Sequence, residues 1–291
     1  MATPSPTLED LRRRIDQLDD ALHDMLMQRA EVVEAVANLK KAEATPTLRP
    51  GREAQILRRL LARHHGSFPK PILVRLWREL LSGTIAMQTE LQIAVLATPN
   101  AAGLWDLARD HYGSHTNMTG FRTAGEVVGA VSDGRAHLGV LPVPGQGEQE
   151  AWWRLLTPGD PPKPRIIARL PFGGRGNARA EGGDAFAIAT IEPEPSGDDR
   201  SLYIVETPKD LSRTRVTSVL ATSGLNATAL ASTLLAGDSI AQLLEFEGWL
   251  AADDARLKEA LTALGSNVLR AAPLGYYAQP LTPGQLAGGG A

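Results

Sequence analysis

A handful of side chains in the first ninety residues combine charge, or a fixed amide, with positions inside otherwise apolar helix faces. Arg29 and Lys40 are eleven apart. At about 100° per residue they fall within about 20° of one another, with Val33 and Val36 between them. Such a pair either fixes positive charge where an anion can be held, or covers an apolar stripe with long stems whose heads stay in water. Thr84 and Gln88 are an i,i+4 polar pair on the apolar face of a later helix. The ordinary alternative there is a hydroxyl bonded back to its own helix and a solvated amide. Glu53 stands in a first helical turn, where a carboxylate also simply opposes the dipole. Arg12 precedes Arg29 by seventeen residues. That places it roughly 100° away on the wheel, so a second chain is better able than the same helix to bring it to Arg29. Cysteine is absent, which removes disulfides, thiolate metal sites and cysteine nucleophiles together.

Three helices must carry these residues. Thr7, followed three positions later by Asp10, reads as an N-cap, with Pro6 discouraging an earlier start. Leu11, Ile15, Leu18, Leu22, Met25, Val32, Val36 and Leu39 then keep helical spacing through to Lys41. The length is on the order of 50 Å, more than two short helices can cover, so a helix from a second chain is the economical way to bury the stripe. Pro50 opens a second helix that stops near His65-Gly66, and a third runs from about Pro71 to Glu90. From Leu91 the pattern changes to strands alternating with helices. The units expected are helix 103–112, strand 118–122, helix 124–132, strand 137–143, helix 149–156, strand 165–170 and strand 185–191. Residues 192–199 read as an exposed linker. The order of elements over 201–273 is βαββαβ, a ferredoxin-like module, and the Gly- and Ala-rich tail from Thr282 is expected to be disordered.

Leu11-Arg12-Arg13-Arg14-Ile15-Asp16, Gln28-Arg29, Lys40, Arg49-Pro50-Gly51-Arg52-Glu53 and Ser82-Gly83-Thr84-Ile85-Ala86-Met87-Gln88 resemble, in spacing and type, the helical class of chorismate mutases. These are found at the start of bifunctional chorismate mutase/prephenate dehydratases. The resemblance implies an all-α, three-helix mutase domain over 7–90, built as an intertwined homodimer. The implied chemistry is the pericyclic rearrangement of chorismate to prephenate in phenylalanine and tyrosine biosynthesis, which needs no covalent intermediate, metal or other cofactor. Catalysis is then positioning plus electrostatics on a dicarboxylate whose ether oxygen gains negative charge. By this likeness Arg29 and the partner chain's Arg12 clamp carboxylates, and Lys40 reaches a carboxylate and the ether oxygen. Gln88 donates to that oxygen, Glu53 accepts from the ring hydroxyl, and Arg52 and Thr84 complete the wall. Where several relatives carry an acidic residue, this chain has Arg49.

Farther on, Val131 to Val143 resembles the stretch of prephenate dehydratases that leads into a polar active-site motif. Here Pro144-Gly145-Gln146-Gly147-Glu148 stands in that motif's place. The family's Thr-Arg-Phe motif appears as Asp184-Ala185-Phe186. The expectation is a one-lobe α/β remnant over 91–195 that has lost dehydratase chemistry. Residues 200–281 resemble an ACT regulatory domain at Leu243-Leu244-Glu245-Phe246-Glu247-Gly248 and at 268–277. Its two effector motifs are replaced by Arg215-Val216-Thr217 and Ala231-Ser232-Thr233-Leu234, which points to a structural or dimerising role.

The 30 basic and 33 acidic side chains give a net charge of -3, so neither nucleic acid nor an anionic membrane is an expected partner. No segment approaches the roughly 18 apolar residues a membrane span needs, and the start has no signal-like pattern. With the resemblance above, the expectation is a cytoplasmic mutase. Two other readings stay open at this level, a bifunctional mutase/dehydratase and a non-catalytic regulatory subunit of the pathway.

Overall fold

The computed structural model describes residues 5–43, 46–145, 150–265 and 268–287, with the side chains of 40–43 outside that description. Helix α1 (Leu8–Glu43) begins where the cap predicts. Thr7 Oγ1 accepts from the Asp10 amide at 3.2 Å, and the Asp10 carboxylate takes the Thr7 amide at 3.1 Å. The chain turns back through α2 (Pro50–Ala62) and α3 (Lys70–Ala86). Helix α3 ends four residues earlier than the pattern suggests, which leaves Gln88 in the turn beyond its last residue.

Helices α2 and α3 pack by Ala54, Leu57, Val74 and Leu81 against Phe172, Ala278 and Leu281 from far along the chain. Helix α1 behaves differently. Leu11, Ile15, Leu18, Leu22, Met25, Val32, Val36 and Leu39 all stay exposed. The apolar stripe is real, and this chain does not cover it.

After α3 come β1 (Gln92–Leu96), α4 (Ala102–Tyr112), β2 (Asn117–Phe121), α5 (Ala124–Ser132), β3 (Leu138–Pro142), β4 (Arg165–Leu170) and β5 (Ala185–Ala189). Strands β2, β1 and β3 are parallel, and β5 and β4 continue the sheet antiparallel. Alternate residues of β1 and β3 face opposite ways. Ile93, Val95, Leu138 and Val140 meet α4, whereas Ala94 and Leu141 meet the core shared with α5. A strand covered on both faces needs an unbroken apolar run, which is how β1 reads. The helix expected over 149–156 is a single 3-10 turn, Trp152–Leu156, with Trp152 and Trp153 almost fully buried; Gln149 itself lies outside the described residues.

Strand β6 (Asp199–Pro208), α6 (Arg213–Thr222), β7 (Ala227–Leu235), β8 (Ser239–Glu247), α7 (Ala255–Leu264) and β9 (Arg270–Ala278) complete the chain up to a short α8 (Pro283–Leu286). Their strand order, β9-β6-β8-β7, is continuous with the first five strands in one nine-stranded sheet. The sequence placed a boundary between 195 and 200. The sheet crosses it, because β9 runs parallel to β4 with Ile166 opposite Gly275. A Cβ at Gly275 would stand 2.1 Å from the Ile166 carbonyl oxygen, and φ there is +152°, so only glycine lets the two backbones close. One face of this unit packs Tyr203, Val205, Leu244 and Phe246 under α6 and α7. Leu202, Ile204 and Leu243 on the other face join the core of α5 and the two tryptophans.

Two further expectations are corrected. Residues 192–199 are no exposed linker, since Ser196 and Asp199 are buried and bonded to one another. The tail does not stay irregular at Thr282, because Thr282 and Gln285 form a capping box that starts α8. Replacing Gly275 by valine should cost more than about 3 kcal/mol, a value reserved for strained or overpacked sites. Urea unfolding is the check, with the midpoint expected to fall at unchanged slope.

Candidate active site on helices α1 and α3

The long helix and α3 meet at Arg29. Its Nη1 donates to Thr84 Oγ1 at 2.7 Å, and its guanidinium lies 5.9 Å from the centre of the Trp77 ring. Thr84 passes its own proton back to the Leu80 carbonyl at 2.9 Å, as hydroxyls inside helices do. Gln88 Nε2 donates to the Thr84 carbonyl at 3.0 Å, while Gln88 Oε1 is buried without a partner. Three of the expected residues therefore form one connected cluster with unspent hydrogen-bonding capacity. Lys40 falls within the span of α1, but its side chain lies outside the described residues.

Glu53 and Arg52 sit at the start of α2, fixed there by Pro50 at the first helical position. Arg52 is exposed, and among the described residues it reaches Gln55, at 3.5 Å. Glu53 turns inward, where its Oε2 accepts from Arg78 Nη1 at 2.8 Å. Arg78 precedes Thr84 by six residues on α3, which puts it about 120° around that helix. Glu53 is thus joined to the face of α3 that looks toward the sheet. Burial holds its carboxyl above the usual carboxylate range, even against the neighbouring charge of Arg78. The same burial lowers Arg78, and burial together with the Arg78 charge holds His111 well below its ordinary value.

Arg12 is exposed on α1, seventeen residues or about 25 Å from Arg29 along the helix. No single chain brings the two together. Arg49 has a different partner altogether. Its Nε and Nη2 grip the Glu194 carboxylate at 3.1 and 2.7 Å, and Gly51 lies so close to the Glu194 carbonyl that a Cβ would stand 2.5 Å from it.

Sequence reasoning missed Arg78. Val74, Arg78, Leu81 and Ile85 form the buried stripe of α3, and an arginine at helical spacing within such a stripe was the available signal. It also missed a network across the sheet, in which Arg169 joins Asp184 at 3.3 Å and Glu245 at 3.4 Å, and Arg175 joins Asp184 at 2.9 Å. Phe186, expected as the remnant of a substrate motif, is core packing in β5. Gln146, Gly147 and Glu148 lie outside the described residues. Among the described residues no group of three or more histidines and acids could hold a metal ion, and no helix is long and apolar enough to cross a membrane.

Residues 11–89 match the chorismate mutase type II family. They are a chorismate mutase domain. The bifunctional chorismate mutase/prephenate dehydratase of Pseudomonas aeruginosa is 32% identical over 141 residues, which cover 47% of this chain and 38% of that protein. The enzyme of the same description from Aquifex aeolicus is 29% identical over 140 residues, with the same coverage of 47% and 38%. The matched stretch thus spans well under half the length of these relatives. At 141 residues it is longer than the 79 positions from 11 to 89, so the likeness continues past the mutase domain into the α/β part. Among solved structures, a prephenate dehydratase from Streptococcus mutans superposes with a TM-score of 0.47 at 17% identity, covering 65% of this chain and 98% of that one. A quorum-quenching acylase, GqqA, gives 0.47 at 21% identity, covering 68% and 98%. Superpositions this loose assign no activity to the α/β part.

The buried pair in the mutase domain makes a stability prediction. Arg78→Ala should cost roughly 3–5 kcal/mol by leaving Glu53 buried without its counter-charge, whereas Arg78→Met combined with Glu53→Leu should cost far less. Denaturant titrations of the two variants decide it, and equal losses would sink this account.

Proposed function

We propose that this chain is a cytoplasmic chorismate mutase of aromatic amino acid biosynthesis, converting chorismate to prephenate without a cofactor. The observation that carries this reading is the Arg29, Thr84 and Gln88 cluster inside the matched domain. Arg29 offers a planar fork suited to a carboxylate. The Gln88 amide, released from the Thr84 carbonyl when substrate enters, donates to the ether oxygen as charge gathers there, and Lys40 does so from the opposite side. That interaction is stronger in the transition state than in the ground state, which is the requirement for lowering the barrier. Glu53 keeps its bond to Arg78 on the sheet-facing side of α3, apart from this cluster, and Arg52 stands exposed beside it at the start of α2.

The site is completed by a second copy of this chain. The unburied stripe of α1 is the supporting observation, since an antiparallel partner helix covers it and carries its own Arg12 toward Arg29. Ile15, half exposed at 56%, would sit in that seam. Dehydratase chemistry is absent in this reading, because Asp184 is held by Arg169 and Arg175 and Phe186 is enclosed in the core. The ferredoxin-like unit then has a structural part, in keeping with the loss of both ACT effector motifs.

Purified protein should consume chorismate, followed by ultraviolet absorbance, and should form no phenylpyruvate unless acid is added. Unchanged chorismate would overturn the reading. Gln88 cannot titrate, so kcat should stay level above neutral pH. In Gln88→Glu the donor exists only while the carboxyl is protonated, so kcat should fall steeply as pH rises through the carboxyl range, to about 10²-fold or more below the parent at neutrality. Ile15→Glu should give monomers by light scattering and lose activity with the dimer.

A further inference from the structure

A cavity of about 440 Å³ lies between α3, α4 and the glycine-rich turn that follows β4. None of Arg29, Thr84 and Gln88 lines it, so it is separate from the mutase cluster. The volume sits within the range of about 300–1,000 Å³ common to small-molecule sites. Its walls are apolar at Ile72, Val74, Leu107 and Phe172. Arg75 and Asp110 also line it, but they are bound to each other at 2.6 Å and cancel.

What remains is Arg78. It lines the cavity, is 5% exposed, and lies with its guanidinium 4.9 Å from the Phe172 ring centre. Glu53 occupies Nη1, while Nε is buried with no acceptor. A guanidinium lining a cavity is a ready donor to a carboxylate. His111, on the same wall, is pushed well below its ordinary pKa by burial and by the charge of Arg78. Gly173 and Gly174 form the facing turn, and Val74 packs so closely on it that a Cβ at Gly173 would stand 2.4 Å from Val74 Cγ1.

We propose that this cavity binds a small monocarboxylate with an apolar, ring-sized body, its carboxylate accepting from the Arg78 guanidinium and its ring lying against Phe172 and Leu107. Because Arg78 also holds Glu53, an occupant here shares a cation with the first turn of α2. Site and ligand class stand independently of the mutase reading.

The test is calorimetric titration of the full chain with 3-phenylpropionate and, separately, with its uncharged amide. Saturable binding of the acid with one site per chain is expected, with the amide at least tenfold weaker. Ile72→Trp fills the mouth from an exposed position and should weaken binding at least tenfold while chorismate turnover stays unchanged. Arg78→Met with Glu53→Leu should abolish the preference for acid over amide. Arg29→Ala should leave the titration unaltered, which separates this cavity from the mutase pocket. No saturable heat with the acid, equal binding of acid and amide, indifference to Ile72→Trp, or loss of binding in Arg29→Ala would each overturn the proposal.

Discussion

The ion pair between Arg78 and Glu53 fixes the geometry on which the first half of the chain depends. Each charge alone would be costly to bury, so the helices that carry them must sit where the two can meet. That ties the start of α2 to the middle of α3. Because Arg78 also stacks on Phe172, it ties both helices to the turn after β4. Arg58 extends the same arrangement, donating to Ser196 Oγ at 2.9 Å and to the carbonyls of Asp198 and Gln279 at 2.8 and 2.9 Å. With the grip of Arg49 on Glu194, three arginines lash the mutase helices to the crossing between the two halves of the sheet.

This arrangement separates two populations of charge. Arg29 faces α3 from outside with a neutral partner, Thr84, and among the described residues it has no acidic one. Arg58 and Arg49 are spent on holding helices, and Arg78 gives one of its nitrogens to Glu53. The difference lies in what each guanidinium meets, since all four stand on or beside helices of the same domain.

Much of this was legible in the sequence. Helical spacing located α1, α2 and α3, and apolar runs located β1, β4 and β8, because both periods survive whatever the tertiary setting. The cluster of Arg29, Thr84 and Gln88 was legible because polar residues interrupting an apolar face need a partner. Three things were not. The continuity of the sheet depends on a close backbone approach at Gly275, and a single glycine in a strand carries no information about which strand approaches it. The pinning of 192–199 hangs on Arg49 and Arg58, about 140 residues away, beyond any local pattern. The inward turn of Glu53 depends on Arg78, whose position looked like one more charge between apolar residues.

Strand β9 lies between β4 and β6, yet it is the last strand of the sheet in chain order. During synthesis the first five strands can pair with one another, and β6, β7 and β8 can form their own antiparallel set, but no strand pairing joins the two sets until residues 270–278 leave the ribosome. Until then β4 and β6 each present an unpaired edge, the feature most prone to pairing with another chain. The seal is therefore applied late and from the middle. Growing chains of this protein are most exposed to wrong partners in the interval before β9 arrives.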